Sequence, residues 1–65
     1  MEKTNQNLLA LRKKYKYTRQ EVEKMTGIKQ ARIVSIELRG DTVKPTELIA
    51  LCKLYRVSVE KVVER

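Results

Sequence analysis

An all-α fold of five short helices is the architecture that this 65-residue sequence predicts. Three observations predict it. Apolar residues recur at intervals of three and four along most of the chain, the period of one helix face. Thr18, Thr46 and Ser58 each precede such a run and can cap a helix N-terminus. Gly27 and the stretch from Gly40 to Pro45 fall between runs, where tight turns are needed.

The first helix is expected from about Asn5 to Lys14, with Leu8, Leu11 and Tyr15 on one face. Arg12, Lys13 and Lys14 crowd its end, where cations meet the negative pole of the helix dipole. Residues 1–5 are polar and are expected to form a flexible tail. The second helix opens on Thr18-Arg19-Gln20-Glu21, a capping box in which Thr18 and Glu21 each satisfy a backbone N–H that has no partner inside the helix. Val22 and Met25 give it a short apolar stripe, and Gly27 suits the left-handed turn that ends it.

A third helix is expected from Lys29 or Gln30 to Leu38, with Ile33 and Ile36 facing inward. Gly40-Asp41 marks a turn. Thr46 is then read as the N-cap of a fourth helix from Glu47 to Tyr55, carrying Leu48, Leu51, Cys52 and Tyr55. Ser58 is read as the cap of a short fifth helix, Val59 to Val63. Its valines would also suit a strand, but the sequence offers no second strand for it to pair with.

Composition narrows the function. A chain of this length is one domain, residues 1–65, and buries only about 60% of its unfolded surface, leaving no room for a second, catalytic unit. There is no histidine, one cysteine and no cluster of metal-ligating residues, so an enzyme, a cofactor, a metal and an intrachain disulfide are not expected. No apolar run approaches the roughly 18 residues of a membrane span, and the N-terminal residues are too polar for a secretion signal, so no membrane partner and a cytoplasmic location are expected. Fifteen Lys and Arg against eight Asp and Glu leave a net charge of +7. Residues 1–44 hold eleven basic and five acidic residues, whereas residues 45–65 hold four and three. A basic part joined to a nearly neutral one suits a polyanion-binding face backed by a structural one, although charge of this size also serves solubility.

Residues 18–37 carry the motif. Two short helices joined at a glycine, with apolar residues at Val22, Ile28, Ile33 and Ile36, form the helix-turn-helix pattern. Gly27 permits the turn, Ile28 fills the angle between the helices, and the third helix is braced from behind. A helix so presented fits the major groove.

From Leu8 to Val63 the chain resembles the Cro/repressor-type (XRE-like) helix-turn-helix family of small phage and bacterial transcription regulators. The resemblance rests on Leu11-Arg12, Thr18, Glu21-Val22, Gly27-Ile28, Ile33, Ile36-Glu37, Pro45 and Val57-Ser58-Val59. It implies a compact, five-helix, lambda-repressor-like domain that binds double-stranded DNA through its third helix, in a repressor-like role. Carried over by position, Gln30, Ala31, Arg32, Val34 and Ser35 are expected to approach base edges. Gln30 suits adenine, Arg32 guanine, and Ala31 or Val34 thymine methyls. Thr18, Arg19, Lys29, Arg39, Lys14 and Lys16 are expected at phosphates, helped by the dipole at the start of the third helix. A homodimer on a two-fold operator is expected, since one module makes few base contacts, and Leu38, Val43, Val59, Val62 and Val63 are its candidate interface.

Three positions depart from the pattern. Glu23 stands where a small residue is usual and must either point out or adjust the helix crossing. Arg19 replaces a frequent glutamine. The loop from Leu38 to Lys44 is a residue or two longer than is common. These departures keep an alternative open, the same fold serving as a protein-interaction module (an antitoxin, co-repressor or anti-repressor) with a regulatory protein as partner. Binding of RNA or single strands is a third reading, and the three tyrosines, Tyr15, Tyr17 and Tyr55, are not expected to form a stacking platform. For Glu37 a salt bridge to Arg12 or another arginine competes with a functional role. Cys52 is read as core rather than as a reactive thiol.

Overall fold

A computed structural model describes residues 2–63 and contains five helices and no strand among them: α1 (Glu2–Lys14), α2 (Arg19–Thr26), α3 (Gln30–Leu38), α4 (Pro45–Leu54) and α5 (Val59–Val62). The all-α expectation holds, and the order of elements is the expected one. Leu8, Val22, Ile28, Ile33, Ile36, Val43, Leu51, Cys52, Tyr55 and Val62 form one core to which every helix contributes. Met25, expected to extend the stripe of α2, is instead exposed, because a helix of eight residues turns only one narrow face inward.

The expected tail at residues 1–5 is corrected from residue 2 onward, Met1 lying outside the described residues. Helix α1 starts at Glu2, and Thr4 and Asn5 are buried. Polar residues are tolerated there because Asn5 has acceptors: its Nδ2 donates to the carbonyls of Ile36 and Asp41, each at 2.7 Å. One side chain thereby fastens α1 both to the end of α3 and to the loop that follows.

The start of the fourth helix is also corrected. Thr46 lies inside α4, and Pro45 takes the first helical position, where its missing N–H costs nothing and its fixed φ suits the helix. Glu47 reaches back so that its Oε1 accepts from the Lys44 N–H at 2.9 Å. Thr18 and Ser58 cap as expected. Thr18 Oγ1 accepts from the Glu21 N–H at 3.0 Å, and Glu21 Oε1 accepts from the Thr18 N–H at 2.8 Å. Ser58 Oγ accepts from the Lys61 N–H at 3.2 Å.

Helices α1 and α4 end alike. Lys16 and Arg56 adopt left-handed backbone at φ 59° and 56°, and the next residue closes back, Tyr17 N–H on Arg12 O and Val57 N–H on Cys52 O, each at 3.1 Å. This closure usually employs glycine, and a residue with a Cβ there costs about 1 kcal/mol.

Two ion networks join the helices. Glu37 has a side chain only 3% exposed, and its two oxygens accept from Arg12 Nε at 2.8 Å and Arg19 Nε at 3.0 Å. Arg12 also donates to the Tyr17 carbonyl at 2.8 Å. The salt-bridge reading of Glu37 therefore holds, with two arginines rather than one. The buried position of Cys52 agrees with its reading as core, and burial pushes its thiol above the ordinary range, away from the reactive thiolate.

Candidate nucleic-acid interface

Helices α2 and α3 form a braced pair. Gly27 takes φ +80°, and its N–H closes on the Glu23 carbonyl at 2.7 Å. Thr26 secures the same turn from the side, donating its hydroxyl to Val22 O at 2.7 Å and accepting from the Ile28 N–H at 3.2 Å. The sequence pattern did not single Thr26 out, because a threonine near a helix end has many innocent readings. Ile28 closes the angle between the helices, and Ile33, Ile36 and Glu37 turn inward.

With those three residues inward, the period of 3.6 leaves Ala31, Val34, Ser35 and Leu38 along the opposite stripe of α3. Gln30 and Ala31 are exposed in the first turn, and Val34 and Ser35 are half-exposed in the second. Four of the five expected base-readers thus share an accessible face.

Arg32 does not. Its Nε and one terminal nitrogen meet the two oxygens of Glu47 at 2.8 and 2.9 Å, and the same terminal nitrogen donates to Thr42 O at 2.7 Å. Asp41 adds a carboxylate at 3.9 Å. The hydrogen bond from Arg32 holds the Glu47 carboxyl below its usual range. The expectation that Arg32 reads guanine is therefore corrected. A bidentate carboxylate occupies the fork that guanine would need. Arg32 instead hooks α3 to the loop and to the start of α4.

Glu23 resolves its departure by pointing along the surface to α3, where its Oε1 accepts from the Gln30 N–H at 3.2 Å. A carboxylate thus stands at the positive pole of α3, favourably for the helix dipole. An anion therefore already lies at the pole whose dipole is expected to help hold a DNA phosphate.

Among the expected phosphate contacts, Lys14, Lys16, Lys29 and Arg39 are exposed and have no ion-pair partner among the described residues. Thr18 is exposed, but its hydroxyl serves the capping box. Arg19 is anchored through Nε on Glu37, and its terminal nitrogens have no protein partner among the described residues. They lie where α2 begins, aimed by the buried carboxylate behind them.

The expected dimer residues divide. Leu38, Val59 and Val63 are exposed, Leu38 at 61%. Val43 and Val62 are core residues, at 5% and 1%, and cannot form a surface; this corrects both. Val62 seals α5 against the core, and Val43 plugs the loop before α4. Ile49, not among the expected residues, is exposed on α4. The tyrosine rings cluster with centroids 6.2–6.3 Å apart. Tyr55 is buried and Tyr17 half-buried, so one accessible ring, Tyr15, remains. One ring is no platform for successive bases.

Among the described residues, no helix is long and apolar enough to cross a membrane, and no group of three metal-ligating side chains occurs. A family model described as "Helix-turn-helix" matches residues 8–62. No curated protein and no solved structure matches the chain.

Proposed function

Because the chain belongs to the helix-turn-helix family of the Cro/repressor type, whose members bind DNA as transcription regulators, we propose that it is a sequence-specific, repressor-like regulator that lays α3 in the major groove. One observation carries this reading: α3 is braced on its inner side by Ile33, Ile36 and Glu37, while Gln30, Ala31, Val34 and Ser35 remain accessible on a face that packing does not use. Gln30 is the one side chain of that face able to pair bidentately with a base, and adenine is its partner. Ala31 and Val34 present methyl groups to thymine. Lys29, Arg39, Lys14, Lys16 and the free end of Arg19 take phosphates and set the register, with Thr18 beside them.

The unit acts as a homodimer on a two-fold operator, with Leu38, Ile49, Val59 and Val63 supplying the exposed apolar contacts. It works in the cytoplasm of a phage or bacterial circuit, and it catalyses nothing. Selection of bound sequences from a random duplex library tests this. The expected product is a palindrome with half-sites about one helical turn apart, A·T-rich where Gln30, Ala31 and Val34 fall. A library that returns no enriched sequence contradicts the reading.

A further inference from the structure

An open groove of about 630 Å³ lies between α1 and α5, away from the α3 face. Leu11, Val57 and Val62 supply its apolar floor, and Lys3, Lys14, Arg56 and Lys61 stand around it. None of the lining residues is acidic, and none of these four cations has an ion-pair partner among the described residues. Along α1 the groove residues recur at Lys3, Asn7, Ala10 and Lys14. That is the side of the helix nearly opposite Asn5, Leu8 and Arg12, which hold α3. The groove and the α3 reading face therefore lie on different sides of the molecule, and Lys14 alone stands both at the rim of the groove and among the proposed phosphate contacts.

We propose that this groove docks an acidic amphipathic segment of a partner protein, its apolar side chains on the floor and its carboxylates among the four cations. Charge selects this occupant. A second copy of the chain meeting the groove across a two-fold axis would bring the same four cations face to face. Duplex DNA would meet the cations but leave the apolar floor unmatched. A small ligand needs a site that closes over most of its surface, and this groove is open along its length.

The test is fluorescence anisotropy with a labelled synthetic helix of Glu, Leu and Ala whose leucines form one stripe, titrated with the full chain. The controls are a scrambled peptide of equal charge and two variants outside the proposed DNA contacts, Lys3→Glu with Lys61→Glu, and Ala10→Trp, which fills the groove from an exposed position. Each variant is first checked for native helicity and operator affinity. The striped peptide is expected to bind, and the scramble and both variants are expected to bind about tenfold more weakly, a loss of about 1.4 kcal/mol. Two results overturn the proposal: equal binding by the scramble or the variants, or a wild-type dimer that Ala10→Trp dissociates. Loss of operator binding alone leaves it standing, because the two faces are read separately.

Discussion

Arg32 grips Glu47 with two nitrogens, at 2.8 and 2.9 Å, and so joins the outward flank of α3 to the first turn of α4. The arginine that position alone would assign to a guanine is occupied in holding the scaffold. Arg32→Ala is expected to cost about 1–2 kcal/mol of stability by urea denaturation, since a bidentate charged pair is lost at a partly exposed site. Its operator preference, measured by competition with single-base variants, is expected to stay that of the wild type. A changed preference at one base pair would return Arg32 to the reading set.

Acid should release the same hook. The folded state holds the Glu47 carboxyl below its ordinary value, chiefly through the hydrogen bond from Arg32. The stability this provides is therefore complete above the unfolded carboxylate value, about 4.3, and is lost as pH falls through the lower folded value. Denaturation midpoints are expected to fall over that acid window and to fall less in Glu47→Gln. Equal acid sensitivity in both proteins would place the loss elsewhere.

Glu37 is the buried counterpart, shared by Arg12 and Arg19. Glu37→Ala is expected to cost about 3 kcal/mol, because it leaves the nearly buried Arg12 without its counter-charge. Arg19→Ala removes only the more exposed partner and is expected to cost less, while weakening operator and scrambled duplex alike. A thermal or urea series on the two variants checks the order, and equal losses would contradict it.

Much of this molecule is legible in its sequence because the signals are local. Thr18 with Glu21, Gly27, and the Ile33/Ile36 pair each report a structure formed within a few residues, and each stands where expected. What could not be read depends on residues far apart. Asn5 joins α1 because the carbonyls of Ile36 and Asp41 converge on it, 31 and 36 positions away. Position in the third helix assigns Arg32 to a base, and its partner Glu47 goes unseen because it lies fifteen residues on, beyond the helical period. Val43 and Val62 read as surface valines, and only their packing against the other helices makes them core. Helix α1 ends at Lys14 as expected and α4 one residue before the expected Tyr55, but the form of both closures is not legible. Lys16 and Arg56 hold left-handed turns that glycine would have announced.

Glu23 places a negative charge where α3 would approach the DNA backbone. Glu23→Ala is expected to tighten binding to operator and to scrambled duplex by a similar factor, about two- to fivefold at low salt, with a smaller gain as salt rises. It should also lower stability by about 0.5 kcal/mol through loss of the contact to the Gln30 N–H. Weaker DNA binding in the variant would mean that the carboxylate orders Gln30 for recognition rather than opposing phosphate.

The most direct test of α3 as the reading element is a fluorescence titration at physiological salt, with the wild type and Gln30→Ala each titrated against a selected operator and a scrambled duplex of equal composition. The wild type is expected to favour the operator by about a thousandfold or more. In Gln30→Ala about 1–3 kcal/mol of that preference should disappear while affinity for the scramble persists. Equal wild-type affinity for both duplexes would contradict sequence-specific binding. A preference left intact in Gln30→Ala would contradict reading through that residue.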